Sequence, residues 1–178
     1  MWRWLLGGVA ASGIAVATWR FFTREQELPP SSDVPVDPSS PPPGYVQVQP
    51  GKWLEPNAAK AFIAMESAAS AAGHKLRINS AWRSRAHQER LYAAWSAYLA
   101  SQHGGPPAPW AAKAAKPGTS KHQVGEAVDL LNINPAQSSY NAAQHKWLQE
   151  NARKYGFIDD VYVPREHWHW SYRPSLIA

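Results

Sequence analysis

The chain has 178 residues, with 18 Lys+Arg against 13 Asp+Glu, 16 prolines, 10 tryptophans and no cysteine. The length allows one domain plus appendages. The lack of cysteine excludes a disulfide scaffold, a thiol nucleophile and any Cys-built zinc finger or iron–sulfur site, and 17% charged residues is too few for a disordered polyelectrolyte.

The first segment is apolar. Sixteen uncharged residues, Trp4 to Trp19, run between Arg3 and Arg20. As a helix they would span ~24 Å, somewhat short of a ~30 Å hydrocarbon core. Trp2, Trp4 and Trp19 sit where interfacial aromatic anchors would. Residues 1–22 therefore read as a membrane anchor or as a signal peptide cleaved near Ala15-Val16-Ala17, and either reading sends the remainder out of the cytoplasm. Residues 23–50 read as a linker, since eight of the 16 prolines lie between Pro29 and Pro50. Proline lacks the amide donor and fixes φ, so this stretch favours an extended, semi-rigid spacer and cannot build a core.

Residues 51–178 carry the folded domain and the chemistry. Ala58, Phe62, Met65 and Ala69 stand at helical spacing within a helix over Asn57 to Ala72, which Gly73 ends. Leu76 to Asn79 alternates as a short strand. Ser84 caps a second helix reaching about Ser101, whose inward stripe is Leu91, Trp95, Tyr98 and Leu99, and a Gly/Pro-rich loop follows from Gly104 to Gly118. Glu126 to Leu131 reads as a strand. Ser139 to Tyr155 reads as a third helix with Ala143, Trp147, Leu148 and Asn151 on one face. Short strands near Phe157 and over Trp168 to Tyr172 complete an α+β domain, with no repeating βαβ unit.

Two clusters carry metal-ligating types: Ser120 to Asp129, with His122, Gly125 and Glu126, and Glu166 to Trp170, with His167 and His169. Catalytic zinc takes three N/O ligands and keeps a fourth position open. Asp129 lies in an otherwise apolar strand, where a lone carboxylate would be costly without a cation. Gly125 permits the turn that returns His122 toward that strand. In an extended segment His167 and His169 project to the same face, so spacing leaves either as a ligand. Glu166 is placed to act as a base on water whose pKa zinc lowers toward ~7. Spacing alone also leaves a bland reading, in which these histidines pack ordinarily and Asp129 caps a turn. His74, His87, His103 and His145 have no comparable context and read as ordinary. Gln88 shares the stripe of Leu91 and Trp95, so with Arg83 and the helix N-terminus it would favour an anion such as a peptide carboxylate. The alternative is a locally paired Arg83 and a capping Gln88. Trp168 and Trp170 read as core.

Ser120, His122, Gly125, Ala127 and Asp129 fit S-x-H-x-x-G-x-A-x-D, and Glu166, Trp168 and His169 fit E-x-W-H. Together with Ser80-Ala81-Trp82-Arg83-Ser84, Gln88, Trp147-Leu148, Asn151-Ala152 and Tyr155-Gly156-Phe157, they resemble the VanY-type D-alanyl-D-alanine carboxypeptidases, zinc peptidases of bacterial peptidoglycan. The resemblance covers roughly residues 51–173. It implies a compact α+β fold with a small antiparallel sheet and flanking helices, shared with lysostaphin-type peptidases and Hedgehog domains. It implies Zn2+ on His122, Asp129 and His169, selecting His169 over His167, with Glu166 as general base and acid. It also implies that Arg83 holds the substrate or the developing oxyanion, with Gln88 and Ser120 positioning it.

Two departures are the short connection between Phe157 and Glu166, and His167, where many relatives carry proline. The expected activity is removal of the terminal D-alanine of peptidoglycan stem peptides. L,D-carboxypeptidase or endopeptidase specificity, and a non-catalytic zinc module that binds cell wall, are the alternatives. The expected setting is the bacterial cell envelope, with the N-terminal segment in the membrane. From position 51 onward 15 Lys+Arg against 9 Asp+Glu give +6, which suits anionic wall polymers or headgroups. Neither a nucleic-acid partner nor a protein partner is expected, since no recognised binding motif or dense basic helix occurs.

Overall fold

Side-chain alternation along two central strands divides the sheet into an apolar face and a polar face, and the rest of the domain follows from that division. The computed structural model describes residues 40–100, 114–159 and 166–176. The apolar N-terminal segment, the linker up to position 39 and most of the Gly104 to Gly118 loop lie outside the described residues. Among the described residues, no helix is long and apolar enough to cross a membrane.

The described residues open with an antiparallel hairpin, β1 (Val46–Gln49) and β2 (Lys52–Leu54), followed by α1 (Pro56–Ala71), β3 (Ile78–Ser80) and α2 (Arg85–Ala100). After the metal-motif loop come β4 (Ala127–Leu130), α3 (Ala142–Asn151), a 3-10 turn at Ala152–Tyr155, β5 (Phe157–Asp159) and β6 (His169–Tyr172). The main sheet has the order β3-β4-β6-β5 and is antiparallel throughout. Val128 and Leu130 of β4 and Trp170 and Tyr172 of β6 face the core with Ile78 and Phe157. Asp129, His169 and Ser171 take the other face, by the period of two.

Helix α1 is the core's main partner. Ala58, Phe62, Met65 and Ala69 are all fully buried, as the helical spacing predicts. Pro56 is at the first helical position, where its missing N–H costs nothing, and the Glu55 carboxylate accepts from the Ala58 N–H at 2.5 Å. Gly73 at φ 83° ends the helix in the left-handed region. The Phe62 ring meets Phe157 edge-on at 6.1 Å, which locks α1 to the sheet.

Four expectations are corrected. Residues 46–49, placed in the linker, form β1 and belong to the folded unit. Gln49 ties that hairpin inward: its side-chain amide donates to Glu66 Oε1 and the Leu76 carbonyl, and its carbonyl oxygen accepts from the Ile78 N–H. The strand expected over Leu76 to Asn79 is shifted to Ile78–Ser80, because register with Asp129 and Leu130 decides where pairing starts. In α2, only His87 and Gln88 are buried; Leu91, Trp95 and Tyr98 are half-buried and Leu99 is exposed, so the helix docks by its first turn. In α3, Ala143 is exposed and Trp147 half-buried, while Gln144, His145 and Leu148 are buried. Asn141 caps the helix by accepting from the Gln144 N–H, and the stripe Gln144, Leu148 and Ala152 turns inward one residue away from the expected face. The helix then tightens into the 3-10 turn before Gly156 at φ 77°.

Phe62→Ala should destabilise the domain by ~3–5 kcal/mol through the cavity it leaves, measured as a fall in the denaturant midpoint with unchanged slope.

Candidate functional site

Strand register brings the polar face of the sheet into one row. Ser80 of β3 pairs with Asp129 of β4, and Asp129 pairs with His169 of β6. His122 arrives from the preceding loop, whose turn closes with the Gly125 N–H on the His122 carbonyl and Gly125 at φ 71°. The three ligating atoms form a small triangle: His122 Nε2 to Asp129 Oδ1 is 3.2 Å, His122 Nε2 to His169 Nδ1 is 3.3 Å, and His169 Nδ1 to Asp129 Oδ1 is 2.9 Å. All three residues are buried. A tetrahedral ion with bonds of about 2.0–2.1 Å spaces its ligands at roughly 3.3 Å. The donor set, burial and spacing therefore fit a metal of the zinc kind, and His122, Asp129 and His169 come together as the sequence motifs require.

Outer hydrogen bonds fix which nitrogen of each imidazole faces the centre. His122 Nδ1 donates to the Ala81 carbonyl at 2.7 Å, leaving Nε2 for the ion. His169 Nε2 lies 3.2 Å from Ser171 Oγ, leaving Nδ1. Ser171 is two residues on from His169 and thus on the same face, a signal that sequence reasoning passed over. Burial, reinforced by Arg83 and His169 and opposed by Asp129, pushes the His122 pKa down to about 4, so the imidazole is neutral and able to ligate at neutral pH. Burial alone would raise the Asp129 carboxyl, but its charge and hydrogen-bond interactions with His122 and His169 hold it well below the usual carboxylate range.

Arg83 sits beside the His122–Asp129–His169 set and is held by local partners. Its guanidinium donates to Gln88 Oε1 at 2.8 Å and Ser80 Oγ at 3.0 Å, and pairs with Asp129 Oδ2 at 3.5 Å. Asp129 thus divides its two oxygens, Oδ1 toward the histidines and Oδ2 toward Arg83. Gln88 is fully buried, and its amide donates to the Ala115 carbonyl at 2.8 Å. Both ends of Gln88 are committed, so it aims Arg83 instead of presenting donors outward. Ser84 Oγ accepts from the His87 N–H and caps α2. Ser120 is buried on the loop that delivers His122. Glu166 lies on the turn just before β6, where its carbonyl accepts from the His169 N–H at 2.8 Å.

The family model for VanY, D-alanyl-D-alanine carboxypeptidase, matches residues 51–175. The chain belongs to that family. Among curated relatives, YodJ of Bacillus subtilis is 33% identical over 135 residues, which is 68% of this chain and 46% of that protein. The chain spans less than half the length of the curated relatives it matches, 24% and 46%. A solved D,D-pentapeptidase VanY from a VanB-type vancomycin-resistance cassette, in complex with Zn(II), is 26% identical with a TM-score of 0.55, over 72% of this chain and 77% of that one. VanYB in complex with D-alanine-D-alanine is 25% identical with a TM-score of 0.57, over 76% of this chain and 80% of that one. These likenesses agree with the α+β fold and with a VanY-type reading of the motifs.

The loop bearing His122 is held by a close approach at Gly125. A Cβ there would lie 2.5 Å from Tyr45 Cε1 and 2.7 Å from the Glu55 backbone nitrogen, whose N–H donates to the Gly125 carbonyl. Gly125→Ala should therefore cost about 1–3 kcal/mol through backbone strain and the clash, read as a lower denaturant midpoint than that of Gly118→Ala. Position 118 also has positive φ but open space around its added Cβ, so the comparison isolates the packing contribution.

Proposed function

We propose that this chain is a zinc-dependent D,D-carboxypeptidase that removes the C-terminal D-alanine of peptidoglycan stem peptides. The observation that carries the reading is the buried triangle of His122 Nε2, Asp129 Oδ1 and His169 Nδ1, closed to within 3.3 Å on three protein ligands. Three N/O ligands suit a catalytic zinc with an open position better than a closed structural site. Support comes from VanY family membership and from two solved relatives of comparable fold, one with Zn(II) and one with D-alanine-D-alanine.

His122, Asp129 and His169 would hold a zinc ion, which would supply Lewis-acid polarisation and a lowered pKa for water. The protein's own residues do the rest. Glu166 takes the proton from the attacking water and returns it to the departing amine. Arg83, half-buried and held by Gln88 and Ser80, offers positive charge to the peptide's terminal carboxylate or the developing oxyanion. Its pairing with Asp129 Oδ2 also keeps that carboxylate turned so that one oxygen serves the metal. Ser120 contributes to the wall beside His122, and Gln88 acts through Arg83. Ala81 and Ser171 hold the two imidazoles in the required tautomers.

The same reading places the protein in the bacterial cell envelope. The apolar N-terminal segment serves as membrane anchor or export signal, and the proline-rich stretch as a spacer that lets the domain reach the wall.

Incubation of the full chain with synthetic stem pentapeptide and tetrapeptide, followed by mass spectrometry with and without a chelator, tests the assignment. Chelator-sensitive loss of one terminal D-alanine from pentapeptide is expected. Cleavage of tetrapeptide alone would mean L,D-specificity, internal cleavage would mean an endopeptidase, and peptide binding without product by zinc-loaded protein would mean a binding module. Glu166→Gln should retain zinc and the fold while slowing hydrolysis by roughly 10²–10⁴-fold; retained activity would overturn its role. Ser171→Ala should weaken zinc binding by about 10–100-fold, measured by competition with a chromogenic chelator.

A further inference from the structure

A second pair of imidazoles lies outside the His122–Asp129–His169 set. His145, on α3, is only 4% exposed. Its Nδ1 lies 3.2 Å from the Tyr140 hydroxyl, and its Nε2 is buried with no hydrogen-bond partner among the described residues. Tyr140 occupies the Nδ1 side, so Nε2 is the nitrogen left for a ligand. The ring of His167, half-buried on the turn before β6, stands edge-to-face with it, centroids 5.5 Å apart at 70°. The catalytic pair His122 and His169 has nearly the same arrangement, with centroids 5.0 Å apart at 63°. Rings spaced this way can direct one nitrogen each onto a common ion with bonds of about 2.1 Å and a near-tetrahedral angle between them.

We propose that His145 Nε2 and a ring nitrogen of His167 form a second site for a borderline divalent cation such as Zn2+ or Ni2+, with water completing its shell. The chemistry of the surroundings agrees. An orphaned, buried imidazole nitrogen is costly unless something binds it, and a metal ion does so. The Tyr140 hydroxyl plays toward His145 the part that Ala81 and Ser171 play toward the catalytic imidazoles, fixing the ring and leaving the opposite nitrogen for the ion. Burial and the neighbouring His167 lower the His145 pKa, opposed by the negative charge of Asp159 on β5. The ring is therefore held in the neutral form that ligates, with an anion acting on it. An ion there would brace the turn bearing Glu166 against α3.

The site is independent of the peptidase reading, and its test reads metal content. Full-length protein is stripped with chelator, equilibrated with Zn2+, and its bound metal measured by equilibrium dialysis with mass-spectrometric detection. Two ions per chain are expected for the wild type and for His74→Ala, a control at another histidine. One is expected for His167→Ala and for His145→Ala, and one for His122→Ala, which loses the catalytic site alone. Far-UV circular dichroism reports folding; should His145→Ala unfold, His167→Ala, altered at a half-buried turn position, decides. A single ion in the wild type, or two retained in a folded His167→Ala, would overturn the proposal.

Discussion

A carboxylate buried in the middle of a β-sheet sets the terms for this domain. Asp129 lies on the central strand β4, between Ser80 on one neighbour and His169 on the other. Its desolvation has to be offset by positive charge and donors, or it would protonate. The fold surrounds it accordingly: His122 and His169 approach Oδ1, and Arg83 approaches Oδ2. Removing one partner from such a buried set typically costs ~3–5 kcal/mol, because the remaining charge is stranded. The same concentration of ligands that makes the site expensive in an apolar strand is what a divalent cation would neutralise. Site and sheet stability are therefore one problem in this molecule.

The loop carrying His122 is held by contacts from three other segments of the chain. The Tyr45 hydroxyl donates to the Val124 carbonyl at 2.9 Å, and its ring stands edge-on to Trp82 at 6.3 Å. Glu55, the cap of α1, donates its N–H to the Gly125 carbonyl. The Arg83 N–H donates to the His122 carbonyl, and the Trp82 N–H to the Trp53 carbonyl. Residues from the first hairpin, the start of α1 and the approach to α2 thus converge on one turn. Gly125 is the point of closest approach, and it is glycine because both its φ and its neighbours exclude a side chain.

Much of the fold could be read before any coordinates. The four apolar positions of α1 follow from 3.6-residue spacing with Gly73 as its end signal, and the strands over Glu126 to Leu131 and Trp168 to Tyr172 contain β4 and β6. What could not be read is instructive. Val46 to Gln49 alternates perfectly well as a strand, but prolines on both sides make it look like linker; its place comes from Gln49 reaching Glu66, Leu76 and Ile78, contacts distant in sequence. The stripe of α2 is apolar without being buried, since periodicity reports that a face could be covered and not that anything covers it. In α3 the face was misjudged by a residue because polar Gln144 and His145 are buried on tertiary hydrogen bonds, which hydrophobic patterning does not count.

The sequence by itself supplied the residue types of the centre: histidines and an aspartate in two clusters, a glutamate beside the second, and no thiol to compete, with the family resemblance choosing His169 over His167. Only the tertiary structure decided how those groups are held. It assigned Nε2 of His122 and Nδ1 of His169 through Ala81 and Ser171, committed Gln88 to Arg83, and set His145 beside His167 although 22 positions separate them in the chain. The physical reason is that ligand type is a property of a residue, whereas tautomer, orientation and pairing depend on which backbone carbonyls and hydroxyls the fold brings within about 3 Å.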